Sequence, residues 1–222
     1  IEIEGTVDQL NLWMGHAQAD LRILADITQK LIDHREEFQP MTEAVSEIPF
    51  FADKMQYYPE GSYSQNAPDE PSVVIVQTIY HDENAQIKPY PQQIIAETAL
   101  LDLVMPAIHT YGAEKIWTYF TGDMEASFSR HTPWVDYGRD AVEVYPEFLV
   151  VPYWHYYPGL IEAFLAWAQH SDEADTLYIT GFTPYVDGLT SEMVQTYIYP
   201  LWNQERTGFA GAVWYDVSLD DI

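Results

Sequence analysis

The chain has no cysteine, and its 222 residues include only 9 lysines and arginines against 35 aspartates and glutamates. Without cysteine there is no disulfide scaffold, no zinc–thiolate site and no thiol nucleophile. A net charge of −26 leaves no cationic cluster to neutralise phosphates, which argues against a nucleic-acid partner and against docking on anionic lipid. No apolar run approaches the roughly 18 residues that read as a membrane span, and no basic-started signal peptide is present. The seven histidines never fall as HxH or HxxxH, and no Asp-rich calcium loop occurs. GxSxG, P-loop and GxGxxG patterns are also missing, so no metal or nucleotide cofactor is expected.

What is present is a globular composition, 47% apolar, under an evenly spread acidic surface of the kind found in salt-adapted proteins. The abrupt opening Ile1-Glu2-Ile3-Glu4 reads as the start of a piece excised from a longer chain.

Val7, Leu10, Met14, Ala17, Leu21, Leu24, Thr28 and Leu31 recur at spacings of three and four, a heptad-like seam. It predicts a helix over 6–38, about 48 Å long, ended by Pro40. This spine (1–40) is the first unit; 41–222 is the second. Within the second unit a helix is expected over 41–55 and a polar loop over 58–71. A strand follows over 72–80, then a helix over 91–111 that Pro106 kinks or ends. From Glu114 onward the pattern is strands at 115–121, 126–132, 177–183, 193–201 and 209–217, with an amphipathic helix over 159–170. The fold class is α+β: a long N-terminal helix on a five-stranded antiparallel sheet, lying mainly in 114–217.

Alternation within the strands separates two faces. Ile116, Phe120, Leu177, Ile179, Val194, Ile198, Val213 and Val217 form an aliphatic face suited to packing on helices. Trp117, Tyr119, Tyr178, Phe182, Tyr197, Tyr199, Trp214 and Asp216 form an aromatic face with polar tips, suited to a cavity for a small, partly polar molecule. The competing reading is that loops and the 159–170 helix simply cover that face. Asp187 and Asp216 can neutralise an ammonium group, to which ring faces add cation–π attraction of about 0.5–2 kcal/mol. The same two carboxylates also admit a glycosidase-type pair. Arg130 and His131 are expected to decorate a strand end.

The last third carries Thr183-Pro184-Tyr185-Val186-Asp187, then 193–200, then the run from Gly208-Phe209 through Trp214-Tyr215-Asp216 to Ser218-Leu219. These pieces resemble the closing pattern of double Cache (dCache) sensor domains. Val104-Met105-Pro106 followed by Ile116-Trp117-Thr118 is similar to the helix and first strand of that family. The resemblance implies a PAS-like, membrane-distal ligand-binding lobe of a bacterial transmembrane receptor, extracytoplasmic and itself non-catalytic. The output module it implies is a histidine kinase, nucleotide cyclase, chemoreceptor or serine phosphatase. Carried over position by position, the family's ligand-contacting residues fall on Tyr153, Trp154, Tyr185, Asp187 and Asp216. Its arginine position is occupied by Val151, which removes a carboxylate clamp and favours a simple amine or other small organic ligand over an α-amino acid. The expected site is therefore Trp117, Tyr119, Tyr153, Trp154, Tyr185, Asp187, Tyr197, Trp214 and Asp216. The expected partners are a small-molecule ligand, a membrane tether in the full-length protein, and a second copy through the N-terminal helix. The alternative is a secreted carbohydrate-binding or carbohydrate-active protein that uses the aromatic platforms and the Asp pair.

Overall fold

The protein was analysed as a computed structural model that describes residues 2–39, 50–51, 56–57, 72–84, 86–112, 116–133, 143–148, 150–170 and 184–219. The first helix, α1 (Glu2–Asp33), is 32 residues long, about 48 Å at 1.5 Å per residue. Ala17, Leu21, Leu24, Thr28 and Leu31 of its seam are buried against the sheet, while Leu12 and Ile23 are exposed. Thr28 is tolerated there because its hydroxyl donates to the Leu24 carbonyl one turn back. From Ala17 onward the seam is thus occupied by the chain's own sheet. Pairing of two copies through this seam is thereby confined to the preceding turns, where the side chains of Val7 and Leu10 lie outside the described set.

Among the described residues eight strands form one antiparallel sheet: β1 (Phe50–Phe51), β2 (Gln56–Tyr57), β3 (Val73–Ile75), β4 (Trp117–Gly122), β5 (Ser129–Thr132), β6 (Tyr185–Val186), β7 (Met193–Trp202) and β8 (Phe209–Ser218). Their spatial order is β1-β2-β3-β5-β4-β8-β7-β6. The sheet is wider than the five strands expected and recruits residues well before Glu114. The helix expected over 41–55 is corrected where it can be seen, because Phe50 and Phe51 pair with Tyr57 and Gln56 as a strand. Pro49 supplies the sequence reason, since proline disfavours helix at and before its own position. The rest of that span, the 58–71 loop and the strand at 177–183 with Tyr178 and Phe182 lie outside the described residues. The strand at 72–80 ends at Ile75, opposite the first residue of β5, and the chain turns into a 3-10 helix, Thr78–Tyr80.

The helix expected over 91–111 is two helices, α2 (Pro89–Glu97) and α3 (Leu101–Tyr111), bent by 52°. The break falls at Thr98, not at Pro106, which α3 passes through. Thr98 Oγ1 donates to the Ile94 carbonyl, and Arg130 donates to that of Ile95, so side chains take over carbonyls at the end of α2. The arginine is fully buried and also paired with Asp102 of α3. Arg130 and His131 are therefore interior residues of β5, contrary to a strand-end location.

The sheet separates two apolar layers. On one side α1, α2 and α3 cover Phe120, Val213, Tyr215, Val217 and Tyr197. On the other, a strap containing the 3-10 helix Tyr153–Tyr156 and the helix α4 (Leu160–His170) cover Tyr119, Ile198, Ala212 and Trp214. The phase expected for β7 is reversed. Tyr197 and Tyr199 point toward α1, while Val194 and Ile198 lie on the second face. The cause is cross-strand register: Ile198 pairs with Trp214 and Thr196 with Asp216, and paired residues share a face.

Candidate ligand-binding site

The second face is filled at one end and open at the other. At the Gly122 end, Trp154, Phe164, Trp202 and Phe209 pack together, and the Trp154 indole donates to the Gly122 carbonyl at 2.7 Å. Tyr153 N donates to Ser127 Oγ at 3.0 Å, so two hydrogen bonds fix the strap to the β4–β5 hairpin. At the Asp216 end a cavity of about 460 Å³ remains. Its floor is Tyr119 and Asp216 of the sheet. The strap contributes Tyr153, Tyr156 and Tyr157, and the segment before it contributes Tyr145 and Phe148. The remaining wall is Tyr185 of β6 with Asp187, Gly188 and Leu189 of the following turn.

Trp214 lies beside this floor on the same face, stacked on Tyr119 at 5.3 Å and tilted against Tyr157 at 5.0 Å. It packs edge-on to Tyr153 at 6.0 Å. These contacts set the ring positions, because aromatic neighbours at such separations hold one another's orientation.

Asp216 is only 4% exposed. Its Oδ1 accepts a 2.6 Å hydrogen bond from Thr196 Oγ1, and the Tyr119 hydroxyl reaches the same oxygen at 3.4 Å. Burial pushes its carboxyl up to about 7; Asp187 adds to the rise, whereas the Thr196 and Tyr119 hydrogen bonds oppose it. Burial likewise raises the Tyr119, Tyr157 and Tyr185 hydroxyls, with the Asp216 charge the next contribution, so all three stay protonated donors.

Asp187 is built differently. Its Oδ1 accepts from Leu189 N at 3.0 Å, Thr190 N at 2.8 Å and Thr190 Oγ1 at 3.0 Å, the Asx-turn pattern that holds the wall in shape. Gly188 in that turn lies close against the segment opposite. A Cβ there would lie 3.0 Å from Val144 Cγ1 and 3.1 Å from the Tyr145 hydroxyl.

Of the nine residues expected at the site, Tyr119, Tyr153, Tyr185, Asp187 and Asp216 line the cavity, and Trp214 supports its floor. Trp154 is on the correct face but at the filled end. Trp117 shares that face and packs edge-on against His131, 6.4 Å away, without lining the cavity. Tyr197 is on the other side of the sheet altogether. The sequence reading missed Tyr145, Phe148, Tyr156, Tyr157 and Thr196. The run Tyr153-Trp154-His155-Tyr156-Tyr157 was the available signal for two of them, since four aromatics in five residues exceed what one packed face needs.

A second cavity, about 350 Å³, lies on the α1 side between Ile32, Ile94 and Phe120. Its rim groups are engaged with one another: Tyr90 donates to Asp123 at 2.5 Å, and Arg35 stands 3.7 Å from Glu97. Among the described residues no group of three or more His, Asp or Glu side chains is placed to hold a metal ion.

No protein-family model, curated protein or solved structure matches this chain.

Proposed function

We propose that the chain is the sensory domain of a transmembrane signal-transduction receptor of the double Cache type, and that the cavity over Asp216 receives a small organic cation. One observation carries the ligand class. A buried carboxyl closes the floor of a cavity walled by six tyrosines, and among the described residues the groups acting on it include no cation. Ring faces and a buried carboxylate together attract an ammonium group, by cation–π contact and by charge. Among the described residues no arginine or lysine lines the cavity, and Val151 stands at the arginine position of the family pattern, so an amine without a carboxylate fits better than an amino acid.

The sheet order and the strap over one face are consistent with a PAS-like arrangement, which supports the family reading. The contact between α1 and the β7–β8 hairpin supports a relay: ligand-driven movement of the hairpin displaces the helix. Such a relay is limited to the ligand's differential affinity for the two helix positions. The extracytoplasmic location, the membrane tether, the output module and pairing of two copies through the first turns of α1 belong to the same proposal. Among the described residues no single helix is long and apolar enough to cross a membrane. Hydrolysis of a sugar is less favoured, because three donors of its own turn engage Asp187 Oδ1, restraining the second carboxylate that an acid–base pair requires.

The test is mass spectrometry of small molecules released from the purified protein, followed by calorimetry against the compound found and a panel of alkylamines and sugars. Binding of amines in the wild type and its loss in Asp216→Asn is the expected result. Binding of neutral sugars with no response to amines overturns the reading.

A further inference from the structure

Both side-chain hydrogen bonds that described residues give to the Asp216 carboxyl fall on one of its two oxygens. Thr196 has a single hydroxyl proton and directs it to Asp216 Oδ1. Its oxygen is then left to accept, and the Tyr185 hydroxyl, 3.0 Å away, must be the donor. The chain of bonds runs from Tyr185 through Thr196 to Asp216 and ends there, with Tyr119 approaching the same Oδ1. No hydrogen bond from a described residue reaches Oδ2, and the carboxyl lines the cavity.

The titratable groups facing this carboxyl from each neighbouring element are Tyr119 of β4, Tyr185 of β6, Asp187 of the next turn, and Tyr153 and Tyr157 of the strap. None is a cation. His131 stacks behind Tyr119, and burial pushes its imidazole down to about 3, so it is neutral as well.

The charge at Oδ2 can be neutralised in two ways, by a proton on it or by a cation beside it. The two exclude each other, because an ammonium ion gains its electrostatic attraction only from the ionised form. We propose that the cavity binds its organic cation by proton exchange: the ammonium ion enters, the proton of the Asp216 carboxylic acid leaves to water, and the site reports ligand concentration against pH. Atoms and charge balance, since one cation enters and one proton departs. The exchange rests on the ligand class proposed above and adds its regulation. Burial places the carboxyl's midpoint at about 7, so the competition falls in the neutral range rather than in acid.

The test uses the purified protein with propylammonium and choline, probes whose charge is constant across neutral pH. Calorimetry at about pH 6 and about pH 8, in buffers of different ionisation enthalpy, reads affinity and proton release together. The expected result is affinity about tenfold tighter at the higher pH, as ionisation of a group with a midpoint near 7 requires. Release of close to one proton per ligand is expected at the lower pH, and Asp216→Asn is expected to lose binding of both probes at both pH values. Carboxyl-carbon NMR of the ligand-free protein, assigned through Asp216→Asn, gives a reading independent of any ligand, with a midpoint near neutrality expected. A midpoint in the ordinary carboxylate range overturns the exchange whatever binds. Equal affinity at both pH values without proton release overturns the exchange and leaves the cationic-ligand reading standing. Absence of binding by both probes at the higher pH, together with a neutral midpoint, overturns both.

Discussion

The ring of Tyr119 lies 4.6 Å from that of His131 and within 10° of parallel to it. Its other side faces Trp214, and the three residues sit directly across from one another on β5, β4 and β8. The imidazole is thus sealed into an aromatic ladder, with Ser129 Oγ 2.5 Å from its Nε2. Burial pushes its pKa from 6.5 down to about 3.

A group of this kind makes the folded state sensitive to acid. The unfolded chain takes up the histidine proton below its ordinary pKa, while the folded chain does not. The contribution is fully present above about pH 6.5 and is lost as pH falls toward 3, by roughly 5 kcal/mol in all. His131→Phe keeps a ring against Tyr119 but cannot titrate. Urea denaturation between about pH 7 and pH 4.5 should show wild type losing about 2–3 kcal/mol more than the variant. Parallel losses would mean that the imidazole is protonated in the folded state.

Asp216 acts with the opposite sign. Its carboxyl is raised from 3.8 to about 7, so the unfolded chain ionises first as pH rises. The resulting destabilisation is absent below about pH 4, grows across the interval and is complete above about pH 7, at roughly 4 kcal/mol. Asn presents the same oxygen to Thr196 and Tyr119 as the neutral acid does. Asp216→Asn is therefore expected to unfold at the wild-type urea midpoint near pH 4 and at a clearly higher one near pH 8. A variant less stable than wild type at the higher pH would contradict the unbalanced carboxylate.

Local pattern made much of this molecule legible. The seam of α1, the β4–β5 hairpin and the long β7–β8 pair follow from periodicity and from turn residues such as Asn203, whose Oδ1 accepts from Thr207 N and Gly208 N. What failed was decided at long range. Tyr197 carries enough apolar ring to serve as core, and only its pairing opposite Tyr215, with Ile198 opposite Trp214, determines which face it joins. Thr196 looks unremarkable in its strand; its role comes from sitting across from Asp216. The bend after α2 was assigned to the conspicuous proline, although it depends on Arg130, which is distant in sequence and captures the Ile95 carbonyl. The upper wall of the cavity comes from the irregular segment carrying Tyr145 and Phe148, where no period exists to read.

Arg130 and Asp102 form a fully internal ion pair that joins β5 to α3. Burial raises the Asp102 carboxyl and the guanidinium pulls against that rise. Removing one partner leaves the other charge without compensation in a dry interior, at a cost of about 3–5 kcal/mol. Arg130→Met should show that loss, and adding Asp102→Leu should restore much of it. A double-mutant cycle by urea denaturation measures this. Simple additivity of the two losses would show that the charges are not coupled.

Gln29 of α1 meets the backbone of Trp202 with both ends of its amide, Nε2 donating to the carbonyl at 2.8 Å and Oε1 accepting from the N–H at 2.9 Å. One turn later Asp33 accepts two hydrogen bonds from Arg206 at 3.0 and 2.6 Å, and its own carbonyl accepts from Gln204 at 2.9 Å. The end of α1 is thereby fastened to the β7–β8 hairpin near its turn, while Asp216 and Thr196 sit toward the opposite end of the same two strands. Gln29→Ala deletes both hydrogen bonds to Trp202 and a third, from Nε2 to Asp33 Oδ1 at 3.1 Å, and is expected to lower stability by about 1–2 kcal/mol. Hydrogen exchange at the Trp202 amide should rise by about tenfold or more if local opening there becomes easier by that amount. Affinity of the cavity for an alkylammonium probe should stay unchanged, because no cavity-lining residue touches the clamp. In a full-length receptor the same variant should uncouple binding from output. A loss of affinity as large as that of Asp216→Asn would show instead that clamp and cavity move as one unit, and the hairpin would then be part of the binding site rather than the link between the site and the helix.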